Sequence, residues 1–112
     1  MGLNVSEQYS ISILALEGKI MGGPEAGEIN DQIHQMIDQR RTKIIIDMTK
    51  VEWMNSSGLG ILIGAITTLK NNNGDLSLVN VSERVQNLLK ITKLNDVFSI
   101  YPDLDSAVEA MK

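Results

Sequence analysis

The chain has 112 residues, 43% of them hydrophobic and 21% charged, which leaves room for one small domain with an ordinary core and no more. It holds no cysteine and a single histidine, His34, which excludes disulfides, thiolate metal sites and cysteine nucleophiles and leaves too few ligands for most transition-metal centres. Basic residues number 10 against 14 acidic ones, a net charge of −4, without the basic footprint that nucleic-acid binding leaves beyond the short cluster Arg40, Arg41, Lys43.

The first ten residues carry no cationic stretch followed by an apolar one, so no signal peptide is expected. Tyr9 to Leu16 (YSISILAL) predicts a strand buried largely on both faces. Gly18, Gly22, Gly23 and Pro24 punctuate the next stretch of chain and leave a short strand, Lys19 to Met21, between them. From Glu25 to Arg40, apolar residues at Ala26, Ile29, Ile33, Met36 and Ile37 mark one face of a helix. Acids at its start and arginines at its end suit the helix dipole.

Lys43 to Met48 (KIIIDM) reads as an internal strand covered on both faces. A loop from Thr49 to Asn55 leads to a second helix from about Ser57 to Lys70, stopped by Asn71, Asn72, Asn73 and Gly74. Its apolar run, Leu59 to Ile66, is far shorter than the ~20 residues of a membrane span. Leu76 to Val79 is the next strand, and Ser82 caps a third helix through Val85, Leu88, Leu89 and Ile91. Val97 to Tyr101 is the last strand. Asp103 then caps a closing helix whose inner face is Leu104, Ala107, Val108 and Met111. Strands alternating with helices predict an α/β domain over residues 1–112, with a mixed, mostly parallel sheet of four to five strands and about four helices. Such a chain is expected to be soluble and cytoplasmic, with no segment inserted in a membrane.

The stretch that carries chemistry is Asp47 to Gly64 (DMTKVEWMNSSGLGILIG). Here a buried strand gives way to a polar segment and then to a helix opening at Asn55, Ser56, Ser57 and Gly58. The crevice beyond the C-terminal ends of parallel strands is where α/β sheets bind ligands and partners. A helix N-terminus there presents unpaired N–H groups and partial positive charge. On composition alone the plainer reading prevails, that Asn55, Ser56 and Ser57 cap the helix and Gly58 eases the turn.

Catalytic motifs fit these residues poorly. A nucleophile elbow needs a glycine two residues before the serine, but Met54 and Asn55 stand at those positions. His34 lies about 100° off the apolar face of its helix and is expected in solvent, so no triad forms around it. Gly58, Gly60 and Gly64 are spaced one residue too long for a dinucleotide fingerprint, and no G-K-[ST] is present. An enzyme is not expected.

Asp47 to Val51 (DMTKV), followed by Met54 to Gly60 (MNSSGLG), resembles the STAS domains of bacterial anti-sigma factor antagonists. In that family an aspartate closes the buried strand, and eight residues on a D-S-S-G-L-G turn opens the partner-binding helix; Asp47 and Asn55 keep that spacing. The resemblance continues through Leu78 to Ser82, Leu88 to Leu94 and Val97 to Tyr101, so it covers essentially the whole chain. It implies a phosphorylated serine at Ser57, with Ser56 as second choice. It also implies partner switching: the unphosphorylated form captures a serine-kinase anti-sigma factor, which phosphorylates it, and a serine phosphatase resets it. No cofactor of its own is implied, since ATP belongs to the kinase. One departure is Asn55 where the family carries aspartate, and it bears on phosphorylation more than on fold or docking.

Spaced at ~100° per residue, Leu59, Leu62, Ile63, Ile66 and Leu69 should face the sheet. Gly60, Ile61, Gly64 and Thr68 then form a flat docking surface continuous with Asn55, Ser56, Ser57 and Gly58. Trp53 and Met54 read as a hydrophobic plug beneath the site. Asp47 reads as a carboxylate binding backbone N–H groups or a hydroxyl at the strand end. Two other uses of the same residues stay open. One is a STAS module docked constitutively in a stress-signalling or lipid-transport assembly; the other is a small nucleotide- or anion-binding module.

Overall fold

The computed structural model describes residues 2–112, with Glu25 by its backbone alone. Strand pairing starts earlier than the hydrophobic pattern suggests. β1 (Gly2–Gln8) runs antiparallel to β2 (Ile11–Ile20), joined by Tyr9 and Ser10, both at positive φ (51° and 66°). Two left-handed residues between antiparallel strands give a turn whose twist matches that of the strands. Tyr9 is thus a turn residue, 69% exposed, and not the start of a strand. The separate short strand expected at Lys19 to Met21 is the far end of β2. Gly18 stays in the strand at φ 93°, where a register shift against the neighbouring strand bends the chain without ending it.

α1 (Pro24–Asp38) begins behind Gly23 at φ 67° with proline in its first turn, and Ile29, Ile33 and Met36 are buried. It closes two residues before the expected end. Arg40 turns left-handed (φ 62°), its N–H donates to the Ile37 carbonyl, and that of Arg41 donates to the Met36 carbonyl. β3 (Lys43–Met54) is twice as long as the predicted strand. Its first half pairs in parallel with both β2 and β4 (Asp75–Val79), so Ile44, Ile45 and Ile46 are all fully buried. Its second half pairs with β2 alone, through Lys50 to Met54. The segment expected as a loop is therefore a strand in which Thr49, Lys50 and Glu52 meet solvent while Val51 and Met54 point inward.

α2 (Ser56–Asn71) buries Leu59, Leu62, Ala65, Ile66 and Leu69; Ile63, expected among them, is only half-buried. It ends as the asparagine run predicts, with Asn73 left-handed and the Gly74 N–H donating to the Leu69 carbonyl. α3 (Glu83–Ile91) is capped by Ser82, whose hydroxyl accepts from the Val85 N–H at 3.2 Å. Val85 and Leu89 are buried, but Ile91 is 79% exposed. β5 (Ser99–Tyr101) is shorter than predicted, although Phe98 just before it is buried. α4 (Leu104–Met111) is capped by Asp103, which accepts from the Ser106 N–H at 2.8 Å, and buries Ala107, Val108 and Met111.

The sheet order is β1-β2-β3-β4-β5, antiparallel only between β1 and β2. α1, α2 and α3 cover one face over Leu14, Ile44, Ile46, Leu76 and Leu78. α4 covers part of the other over Ile11, Ile13, Ile45 and Val79. With helices on both faces, the central strands become continuous apolar runs and alternation disappears. Among the described residues no helix is long and apolar enough to cross a membrane.

Candidate functional site

The site begins where β3 runs out beside the end of β2. The Asn55 N–H donates to the Ile20 carbonyl at 3.3 Å, which extends the β2–β3 pairing to the last residue before α2. Asn55 is extended (φ −101°, ψ −177°), and its side-chain Oδ1 accepts from the Gly58 N–H at 2.8 Å. This is an N-cap, and the Leu59 N–H to Asn55 carbonyl bond (2.9 Å) starts the helical ladder behind it.

Gly58 is buried and packs directly on β2. A Cβ there would fall 2.1 Å from the Ile20 carbonyl oxygen, so only glycine permits this approach. Gly58 therefore belongs to the floor of the site and not to its surface. Ser56 and Ser57, the first two helical residues, are exposed. The Gly58 N–H is taken by the cap, whereas those of Ser56 and Ser57 have no intrahelical acceptor. No acidic residue occupies this first turn, so the positive end of the helix dipole is not offset there.

Beside Ser57 stands Gly22, at φ 96°; a Cβ on it would lie 3.0 Å from the Ser57 Cβ. A groove of about 280 Å³ lies between α1 and α2, walled by Ala26, Gly27 and Asn30 on one side and Gly60, Ile61 and Gly64 on the other. Gly60 and Gly64 are exposed, and a Cβ at either would meet nothing within 4 Å. Ile61 is half-buried. Thr68, one turn further, donates its hydroxyl to the Gly64 carbonyl at 2.9 Å. On the other flank of the helix start, Trp53, Asn55 and Ser56 line a second groove of about 310 Å³ with Arg84, Leu88 and Ile91. Met54 is buried and Trp53 half-buried, and both line this second groove.

Asp47 stands apart from this cluster. It lies seven residues before Met54 along β3, a span of roughly 23 Å at about 3.3 Å per residue. Its carboxylate accepts from the Thr49 N–H at 3.0 Å, from the Thr49 hydroxyl, and from Asn80 Nδ2 at 3.2 Å. Partial burial alone would raise its pKa, but these three hydrogen bonds outweigh burial and hold it below the ordinary carboxylate value. Asp47 thus ties β3 to the left-handed turn at Asn80 after β4, away from residues 55–58. His34 is exposed on α1, as its angle predicts.

The structure brings together Asn55, Ser56, Ser57, Gly58, Gly60, Ile61 and Gly64, and adds two features that the chain's pattern does not reveal. Gly22 and Gly23 carry a signal, two adjacent glycines before a proline, but it speaks only of a turn. The α1 wall of the groove has none, because it depends on how two helices cross.

Residues 3–107 match the STAS domain family. An anti-sigma-B factor antagonist from Listeria monocytogenes is 40% identical over 55 residues, 49% of this chain and 48% of that protein, so the match spans about half the length of that relative. An anti-sigma factor antagonist from Mycobacterium paratuberculosis has the same fold, with a TM-score of 0.84 at 24% identity over 98% of this chain and 92% of that one. The Bacillus cell-fate determinant SpoIIAA in its phosphorylated form superposes with a TM-score of 0.75 at 19% identity, over 99% of this chain and 100% of that one.

Proposed function

The chain belongs to the STAS domain family, and from that premise we propose that it acts in the cytoplasm by binding, as an anti-sigma factor antagonist directed at a serine-kinase anti-sigma factor. The observation that carries the reading is the exposed Ser57 at the second position of α2, in a first turn that carries no acid. A hydroxyl so placed can enter a kinase active site without local unfolding. Support also comes from the relatives, one named an anti-sigma-B factor antagonist and one solved in a phosphorylated form.

In this reading the unmodified chain docks through Ser56, Ser57, Gly60, Ile61 and Gly64, with Thr68 at the far margin, and so holds the kinase away from its sigma factor. Phosphorylation of Ser57 adds a charge of about −1.5 to −2. Within the free chain the helix dipole favours that charge, so the fold survives. At a docked surface the same charge is desolvated or opposed, and a penalty of ~3–4 kcal/mol weakens binding several-hundred-fold. A serine phosphatase restores the binding form.

A second reading, a constitutively docked subunit of a larger assembly, is favoured by Asn55, which caps the helix without supplying a charge. Intact mass and peptide mapping over residues 50–70, on protein taken from its native cells through growth and stress, separate the two. One phosphate on Ser57, abolished by Ser57→Ala, is expected. Unmodified protein under every condition would overturn the switch and leave the constitutive subunit.

A further inference from the structure

The two edges of the sheet are treated differently. β5 has three residues and runs straight into Pro102, which has no N–H to offer, so that edge is blunted. β1 has seven residues, Gly2–Gln8, and its outer side pairs with nothing among the described residues. It carries no proline, lysine or arginine, and its single charge, Glu7, is engaged by Arg41 at 2.9 Å. Val5, at its centre, is 39% exposed on the face that α1, α2 and α3 cover, opposite the fully buried Leu14. Neither proline nor lysine guards this edge as proline does the other.

We propose that β1 pairs antiparallel with β1 of a second copy of this chain, joining the two five-stranded sheets into one. The strand is self-complementary about Val5. A two-fold axis through Val5 sets Val5 against Val5, Asn4 against Ser6, Leu3 against Glu7 and Gly2 against Gln8. That register uses all seven residues and sets no like charges opposite each other. An axis through Ser6 engages only five residues, Asn4 to Gln8. Opposed side chains in an antiparallel pair have Cβ atoms about 4.5–5.5 Å apart, so the two Val5 side chains touch and extend the apolar layer that Leu3 begins. Backbone hydrogen bonds supply the affinity and the Val5 pair the register. The contact lies on β1, apart from Ser57, and does not depend on the function proposed for that serine.

Sedimentation across a dilution series tests it on the intact chain. Wild type is expected to show a monomer–dimer equilibrium, whereas a monomer at every concentration would overturn the proposal. Val5→Lys and Val5→Glu each oppose like charges at the axis and are expected to be monomeric with unchanged circular dichroism. Mixed in equal amounts they are expected to form a heterodimer again. A dimer that persists in Val5→Lys, or a mixture that stays monomeric, would overturn this interface. Hydrogen exchange on wild type needs no variant: amides of residues 2–8 should exchange several-fold more slowly in concentrated than in dilute protein, and no difference there counts against the pairing.

Discussion

Gly22 and Ser57 meet so closely that a Cβ on Gly22 would stand 3.0 Å from that of Ser57, with Gly22 held at φ 96°. Gly22→Ala therefore meets two obstacles, a left-handed backbone and a crowded neighbour. Backbone strain of this kind costs about 1–3 kcal/mol. Gly23→Ala is the matched comparison: its φ is 67°, but its added methyl meets nothing within 4 Å. Both variants are expected to unfold at lower urea concentration, and only Gly22→Ala to lower Ser57 phosphorylation in mapped peptides. Equal phosphorylation in the two would mean that Ser57 does not feel its neighbour.

The glycines of α2 divide in the same way. A methyl on Gly58 strikes the Ile20 carbonyl, so Gly58→Ala must push α2 off β2, at about 3 kcal/mol or more of stability. Gly60→Ala and Gly64→Ala meet open space and gain helix propensity, about 0.5–1 kcal/mol each in stability. If the groove docks the kinase, these stabilised variants bind it more weakly, because their methyls project from its α2 wall into the groove. Tighter folding with unchanged kinase binding, measured by titration calorimetry, would remove Gly60 and Gly64 from the interface.

Much of this site is legible in the sequence because local chemistry decides it. Asn55, Ser82 and Asp103 are readable as caps, since each precedes an amphipathic run and its side chain reaches an N–H three residues on. Ile44 to Ile46 announce a strand covered on both faces. β1 is hidden because an edge strand with five exposed residues in seven, Asn4 to Gln8, has little hydrophobic pattern to read. The second half of β3 is hidden for a related reason: it is held by pairing with β2, and Thr49, Lys50 and Glu52 point to water. Asp47 is recognisable as an acceptor of backbone N–H and hydroxyl bonds, but its partners lie on Thr49 and the turn after β4, and spacing along the chain cannot reveal the second of these.

Asp47 gives a pH dependence with a definite sign. Its folded pKa is lower than the unfolded value of about 3.9, so its stabilisation is complete above that value and is lost as pH falls through the folded pKa. Asp47→Asn keeps the shape but not the charge. It is expected to cost about 1 kcal/mol at neutral pH, after allowance for solvent screening of a half-exposed group. Urea titrations at about pH 7 and about pH 3 should show the gap between wild type and variant narrowing in acid. A gap that holds constant or widens would mean that Asp47 is not the group through which β3 responds to acid.

Asn55 sets how the start of α2 responds to phosphate. As a neutral cap it satisfies the Gly58 N–H without adding a charge, so a phosphate on Ser57 meets the positive end of the helix dipole and no carboxylate from the first turn of α2. Phosphorylated wild type is therefore expected to be more stable than the unmodified protein, by about 0.3–2 kcal/mol. Asn55→Asp retains the capping bond and adds a negative charge beside the dipole, which should stabilise the unmodified chain by about 0.3–1 kcal/mol. The same carboxylate then repels the phosphate, so the gain on phosphorylation shrinks or reverses. Asn55→Ala loses the cap, at about 1 kcal/mol, and leaves the phosphate gain intact. Thermal unfolding of each variant, with and without phosphate on Ser57, measures all of these differences. A phosphate that destabilises wild type would remove the dipole from the account, and the switch would then have to act by opening the helix start.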